Sequence, residues 1–160
     1  MSTGISMSSV NKIKELADNG DYSLALDILE HQDLSKSLSP QFIRICGEVY
    51  YENKRYREAR EALVRAHSMA PVGNKIIYSI IKLYLSMGYW KLAERYFEIY
   101  KFNQNGKDAG TYRVEYMIAK ARRRPVSELY SILVSANDME TSEEWDYEML
   151  LLHAYIRNKD

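Results

Sequence analysis

The sequence predicts an all-α fold: a right-handed α-solenoid of antiparallel helix pairs, about four repeats long, followed by a C-terminal helix. Two observations predict it. Residues of the same kind recur every 34 positions, and each copy carries the marks of a helix, a tight turn and a second helix.

The recurrence runs in four registers. Tyr22, Tyr56 and Trp90 form one series, Ala25, Ala59 and Ala93 a second, and Leu29, Leu63 and Phe97 a third. Leu16, Tyr50, Tyr84 and Ile118 form the fourth. With 14 tyrosines in the chain, chance could supply one aromatic series. It would not also keep an alanine three positions later in every copy.

The turns are marked by Gly20 and Gly88, which stand just before the aromatic, where a helix ends and the backbone needs a left-handed residue. Lys54 fills that place in the second copy. There the first helix opens on Ser39-Pro40, a capping hydroxyl with proline at the first helical position, and Pro71 closes the second helix. Ile43, Cys46, Gly47 and Tyr50 share one stripe, and Tyr56, Ala59, Leu63 and Ala66 another, at the steps of an amphipathic helix.

With Gly47, Tyr50, Ala59, Leu63, Ala66 and Pro71 in these places, the chain resembles the tetratricopeptide repeat family. The resemblance implies one helical-repeat domain with copies at about 6–39, 40–73 and 74–107. A degenerate copy follows at 108–140, and a terminal helix at 141–158. In the third copy Ile81 replaces the small residue. In the fourth, a first helix over Asp108 to Arg122 keeps Ile118 in phase, but Arg124, Ser127 and Ser131 stand where aromatic, small and large apolar residues belong. Pro125 can start the second helix there, with Val126, Leu129, Tyr130, Leu133 and Val134 as its apolar face and a local shift of register. Trp145, Met149, Leu152 and Tyr155 then mark the terminal helix. Asn158-Lys159-Asp160 echoes the earlier turns, so the expectation is a native chain that runs on, or a final helix that caps the stack.

Composition narrows the function. The 22 basic and 22 acidic side chains cancel, so no long-range field draws the molecule to nucleic acid or an anionic membrane. Seven glycines and three prolines argue against a loop-rich chain. No apolar run is long enough to span a bilayer, and a single cysteine without a secretory leader fits the cytoplasm.

No phosphate-cradling loop, paired-histidine motif or nucleophile elbow is present, so neither enzyme activity nor a cofactor or metal is expected. His31 and His67 read as cations near helix C-termini, and Cys46 as a small core residue. Stacked pairs would turn the outer stripe of each first helix into a groove that holds another protein or peptide. After Val10, Lys14 and Gln41, that stripe carries Arg44, Glu48, Tyr51, Lys75, Tyr78, Lys82, Tyr112, Tyr116 and Lys120.

Its tyrosines and cations suit a partner segment of acidic or C-terminal carboxylate character. The plainer reading makes them solvated surface residues. The basic and asparagine set by which some relatives clamp a chaperone's terminal carboxylate is not recognisable. Arg122-Arg123-Arg124, near Tyr112 and Tyr116, raises RNA binding as an alternative, set against a basic helix end that complements its dipole. A third reading is a homodimer through the end repeat, because Tyr147, Leu150 and Leu151 are too many for one buried stripe.

Overall fold

The computed structural model describes residues 5–104, 108–139 and 143–159. Among them run α1 (Met7–Asp18), α2 (Tyr22–Leu29), α3 (Pro40–Glu52), α4 (Tyr56–Met69), α5 (Asn74–Ser86), α6 (Trp90–Asn103), α7 (Ala109–Ala121), α8 (Val126–Met139) and α9 (Glu143–Lys159). A short 3-10 segment covers Leu34–Lys36, and no strand occurs among the described residues. The chain is all-α.

One turn geometry recurs four times. Gly20, Lys54, Gly88 and Arg123 have φ of 79°, 61°, 82° and 55°. Each follows a helix end and donates its N–H three residues back, to Ala17, Tyr51, Leu85 and Lys120. The next residue donates five back: Asp21 to Leu16, Arg55 to Tyr50 and Tyr89 to Tyr84, each at 2.8 Å, and Arg124 to Ala119 at 3.0 Å. This hydrogen-bond pair satisfies carbonyls that the helix end leaves open, and it reverses the chain within a few residues. Tyr22, Tyr56 and Trp90 are accordingly the first residues of α2, α4 and α6.

The chain divides into two compact units, Met1–Leu83 and Tyr84–Asp160. The boundary falls inside α5. In the first unit, Ile13, Leu16, Ala25, Leu29, Phe42, Cys46 and Val49 form one buried cluster. Ser39 Oγ caps α3 by accepting from the Phe42 N–H at 3.2 Å.

The α3/α4 hairpin is tight at Gly47, where an added Cβ would lie 2.7 Å from Leu63 Cγ. Asn53 Nδ2 donates to the carbonyls of Val49 at 2.8 Å and Tyr22 at 3.0 Å, pinning the end of α3 to the start of α2. Arg65 reaches from α4 to the carbonyls of Leu34 at 2.9 Å, Ser35 at 3.1 Å and Ser37 at 2.6 Å, which supplies donors to a segment short of backbone partners.

In the second unit, Asp108 and Thr111 form a capping box that starts α7, the Thr111 N–H donating to Asp108 Oδ1 at 2.8 Å. The core there comprises Tyr116, Ala119, Leu129, Ile132, Leu133, Ala136, Trp145 and Leu152. The local shift takes a definite size. The left-handed residue comes 35 positions after Gly88 instead of 34, and Pro125 then delays α8 to Val126. Leu129 and Leu133 therefore occupy the core, two positions beyond Ser127 and Ser131.

The buried face of α8 includes Ile132 and Ala136, whereas Val126, Tyr130 and Val134 are only half-buried. In α9, Trp145 and Leu152 are buried and Met149 half-buried, but Tyr155 is exposed. At about 100° per residue, Tyr155 has turned some 80° away from Trp145, off the stripe assigned to it. The expected start at Thr141 and the closing Asp160 lie outside the described residues, as do the end of the third copy at 107 and the edge at 140–141.

Candidate functional site

On the first unit, the outer stripe of α3 and the facing side of α5 form a connected polar surface. Arg44 Nη1 donates to Glu48 Oε1 at 3.0 Å and its Nε to Gln41 Oε1 at 3.4 Å, both within α3. Ser79, buried in α5, donates its hydroxyl to the same Glu48 oxygen at 2.8 Å. The Lys75 carbonyl lies at 3.1 Å from that hydroxyl, which has one proton and is drawn to the charged acceptor.

One turn further along, Lys82 Nζ sits 5.0 Å above the ring of Tyr51, which also packs at 5.8 Å against Tyr56. Lys75 is exposed, and Tyr78, Lys82 and Tyr51 are half-buried. Six of the nine site residues named from sequence thus lie on these two helices. Ser79 was missed. Its position on α5 was readable, but a lone serine carries no chemical mark until its acceptor is known.

The other three lie on α7, where α9 crosses them. Tyr116 is buried, donates its hydroxyl to Glu148 Oε2 at 2.6 Å, and meets the Trp145 ring edge-on at 6.0 Å. Burial raises its pKa first, and the neighbouring carboxylate raises it further, so the phenol stays neutral. Lys120 Nζ is 3.5 Å from both Glu148 oxygens. Tyr112 is half-buried against the α7/α8/α9 core. The open face expected here is therefore a helix contact at Tyr116, because α9 packs on α7 through Arg113, Tyr116 and Lys120.

A second concavity of about 590 Å³ opens in the second unit beside α6, α7 and α8. Its apolar lining is Phe97, Ile118, Ala119 and Ile132. Leu29 and Leu63, the counterparts of Phe97 in the earlier copies, are buried, whereas Phe97 is half-buried and faces this space. The charged rim is largely self-paired: Arg122 with Glu94 at 2.7 Å and Arg124 with Glu128 at 2.9 Å. Arg122 also lies 4.6 Å over Trp90, which commits two of the three arginines of the basic run to contacts within the molecule.

Cys46 is fully buried, and burial pushes its thiol up to about 12, so it is not an accessible nucleophile. Among the described residues no group of three or more His, Cys, Asp and Glu is arranged to hold a metal ion, and no helix is long and apolar enough to cross a membrane. Comparison with protein-family models finds no match, and comparison with curated proteins finds none.

Proposed function

We propose that this chain is a tetratricopeptide-like helical-repeat module that binds a segment of another protein along the α3/α5 surface. The recurring left-handed turn, at 34, 34 and 35 residues, supports the repeat reading. So do the contacts between successive first helices: Glu48 with Ser79 and Tyr51 with Lys82 in one unit, Tyr116 with Glu148 and Arg113 with Trp145 in the other. A lone, buried cysteine fits a cytoplasmic setting.

One observation carries the binding proposal: Arg44 and Tyr51 are held in place by Glu48 and Lys82 before any ligand arrives. Side chains already ordered lose little entropy on binding, which is where aromatic and arginine hot spots gain their strength. Arg44, Lys75 and Lys82 outnumber Glu48, so the surface favours an acidic segment or a terminal carboxylate. RNA is the weaker reading, since Arg122 and Arg124 are paired with carboxylates and Tyr116 is buried.

Selection from a displayed library of random peptides tests this. Acidic sequences should be enriched, should bind less tightly as salt rises, and should lose roughly tenfold or more in affinity to the Lys75→Glu/Lys82→Glu chain. Enrichment without acidic bias, or binding unchanged by the double reversal, would sink the proposal.

A further inference from the structure

α9 is apolar on two opposite faces. Trp145 and Leu152, with Met149 beside them, bury one face in the α7/α8/α9 core. On the other, Tyr147, Leu150, Leu151 and Tyr155 are 63%, 67%, 47% and 47% exposed. Steps of three and four residues align these four into a single stripe along three turns, with Ala154 between them. Isolated surface leucines are ordinary, but an aligned aromatic and aliphatic stripe on one helix is the pattern of a helix that packs on both sides.

The charges flanking the stripe say what covers it. Asp146 and Arg157 are both exposed and stand eleven residues apart, close to three whole turns, so they lie on the same flank of the stripe, one near each end. Asp146 and Glu148 stand toward the start of α9 and Arg157 toward its end. In two antiparallel helices related by a two-fold axis, each flank faces the same flank of the other copy, run in the opposite direction. Asp146 of one copy then meets Arg157 of the second, twice over by symmetry. The same register sets Leu151 beside the axis and Tyr147 against the second copy's Tyr155. A parallel pair would set Asp146 near the second copy's Glu148, acid against acid.

We propose that the chain forms a homodimer through an antiparallel α9 to α9 contact, with the Asp146 and Arg157 pairs fixing direction and register. The contact is isologous, so it closes after two copies and builds no fibre. The proposal does not depend on the α3/α5 reading.

Sedimentation equilibrium of the 160-residue chain over two decades of concentration tests the proposal, with circular dichroism as the check on folding. The chain should dimerise, and Leu150→Asp/Leu151→Asp should make it monomeric at unchanged helix content. Asp146→Arg should raise the dimer dissociation constant roughly tenfold, since two symmetric pairs become repulsions, and Asp146→Arg/Arg157→Asp should restore it.

Direction is read separately. An Asp146→Cys chain mixed with an Arg157→Cys chain should give a mixed product with a short bis-maleimide, Cys46 being buried. Two Asp146→Cys chains should not join, because their Cα atoms lie roughly 16 Å apart along an antiparallel pair. A monomer at every concentration, a dimer indifferent to the leucine substitutions, failure of the double charge swap to restore affinity, or linkage between two Asp146→Cys chains would each overturn it.

Discussion

Ser79 on α5 and Glu48 on α3 are joined by a 2.8 Å hydrogen bond from a buried hydroxyl to a carboxylate that Arg44 also holds. The bond ties α3 to α5 at the centre of the proposed binding surface. Ser79→Ala should cost about 1 kcal/mol in urea denaturation, because the acceptor keeps Arg44 and is not left bare. A double-mutant cycle of Ser79→Ala with Glu48→Ala should give a coupling of about 1 kcal/mol. Purely additive losses would show that the bond contributes nothing to holding α3 and α5 together.

Gly47 and Leu63 define how closely α3 and α4 approach. A methyl at Gly47 would sit 2.7 Å from Leu63 Cγ and 2.8 Å from Cδ2. Gly47→Ala gains about 1 kcal/mol of helix propensity but forces a shift in a buried contact costing about 1–3 kcal/mol, so the net change should be destabilising. Leu63→Ala alone should cost about 2–5 kcal/mol by leaving a cavity. The pair Gly47→Ala/Leu63→Ala should be no less stable than Leu63→Ala, since the vacated space accepts the new methyl. A double variant weaker than both singles would show that Leu63 is not what excludes a side chain at Gly47.

Lys54 and Arg123 hold backbone conformations that suit glycine, at φ 61° and 55°. Both are exposed, so replacing them removes little packing. Lys54→Gly and Arg123→Gly should each raise stability by about 1 kcal/mol. Gly20→Ala and Gly88→Ala should lower it by a similar amount. Nothing lies within 4 Å of a Cβ built at either glycine, which makes the loss one of conformation and not of collision. Thermal melts of the four single variants check the opposite signs.

The sequence made the turns and helix starts legible because they are local. Gly20, Gly88 and the aromatic that follows each are written in neighbouring residues, and the 34-residue spacing carried Lys54 to its place without glycine's help. The fourth copy was harder. Its extra positions fall in Arg122-Arg123-Arg124-Pro125, where added residues leave no apolar mark, so only the later leucines revealed the shift. Tyr116 could not be read as buried, since its cover, Trp145 and Glu148, lies about thirty residues away on α9. Ser79 and Arg65 escaped for the same reason: their partners are set by packing and not by spacing.

Cys46 gives the fold a pH dependence whose sign follows from burial alone. The thiol ordinarily ionises at 9.0, and burial in the first unit's core pushes it up to about 12. Below the ordinary value, folded and unfolded chains both hold the proton and the group is silent. As pH rises past 9.0 the unfolded chain releases its proton while the folded chain keeps it, so stability falls until about 12, where both have lost it. The slope approaches about 1.4 kcal/mol per pH unit for this one group.

Tyr22, Tyr50, Tyr100 and Tyr116 are raised by burial as well and add to the decline at higher pH. Comparison with Cys46→Ala isolates the thiol, because the tyrosines remain in both chains. Cys46→Ala should be the less stable at neutral pH, having lost a buried sulfur, yet should lose stability less steeply between about pH 9 and 10.5. Parallel urea-midpoint curves for the two chains across that range would mean that the Cys46 thiol ionises as readily in the folded protein as outside it.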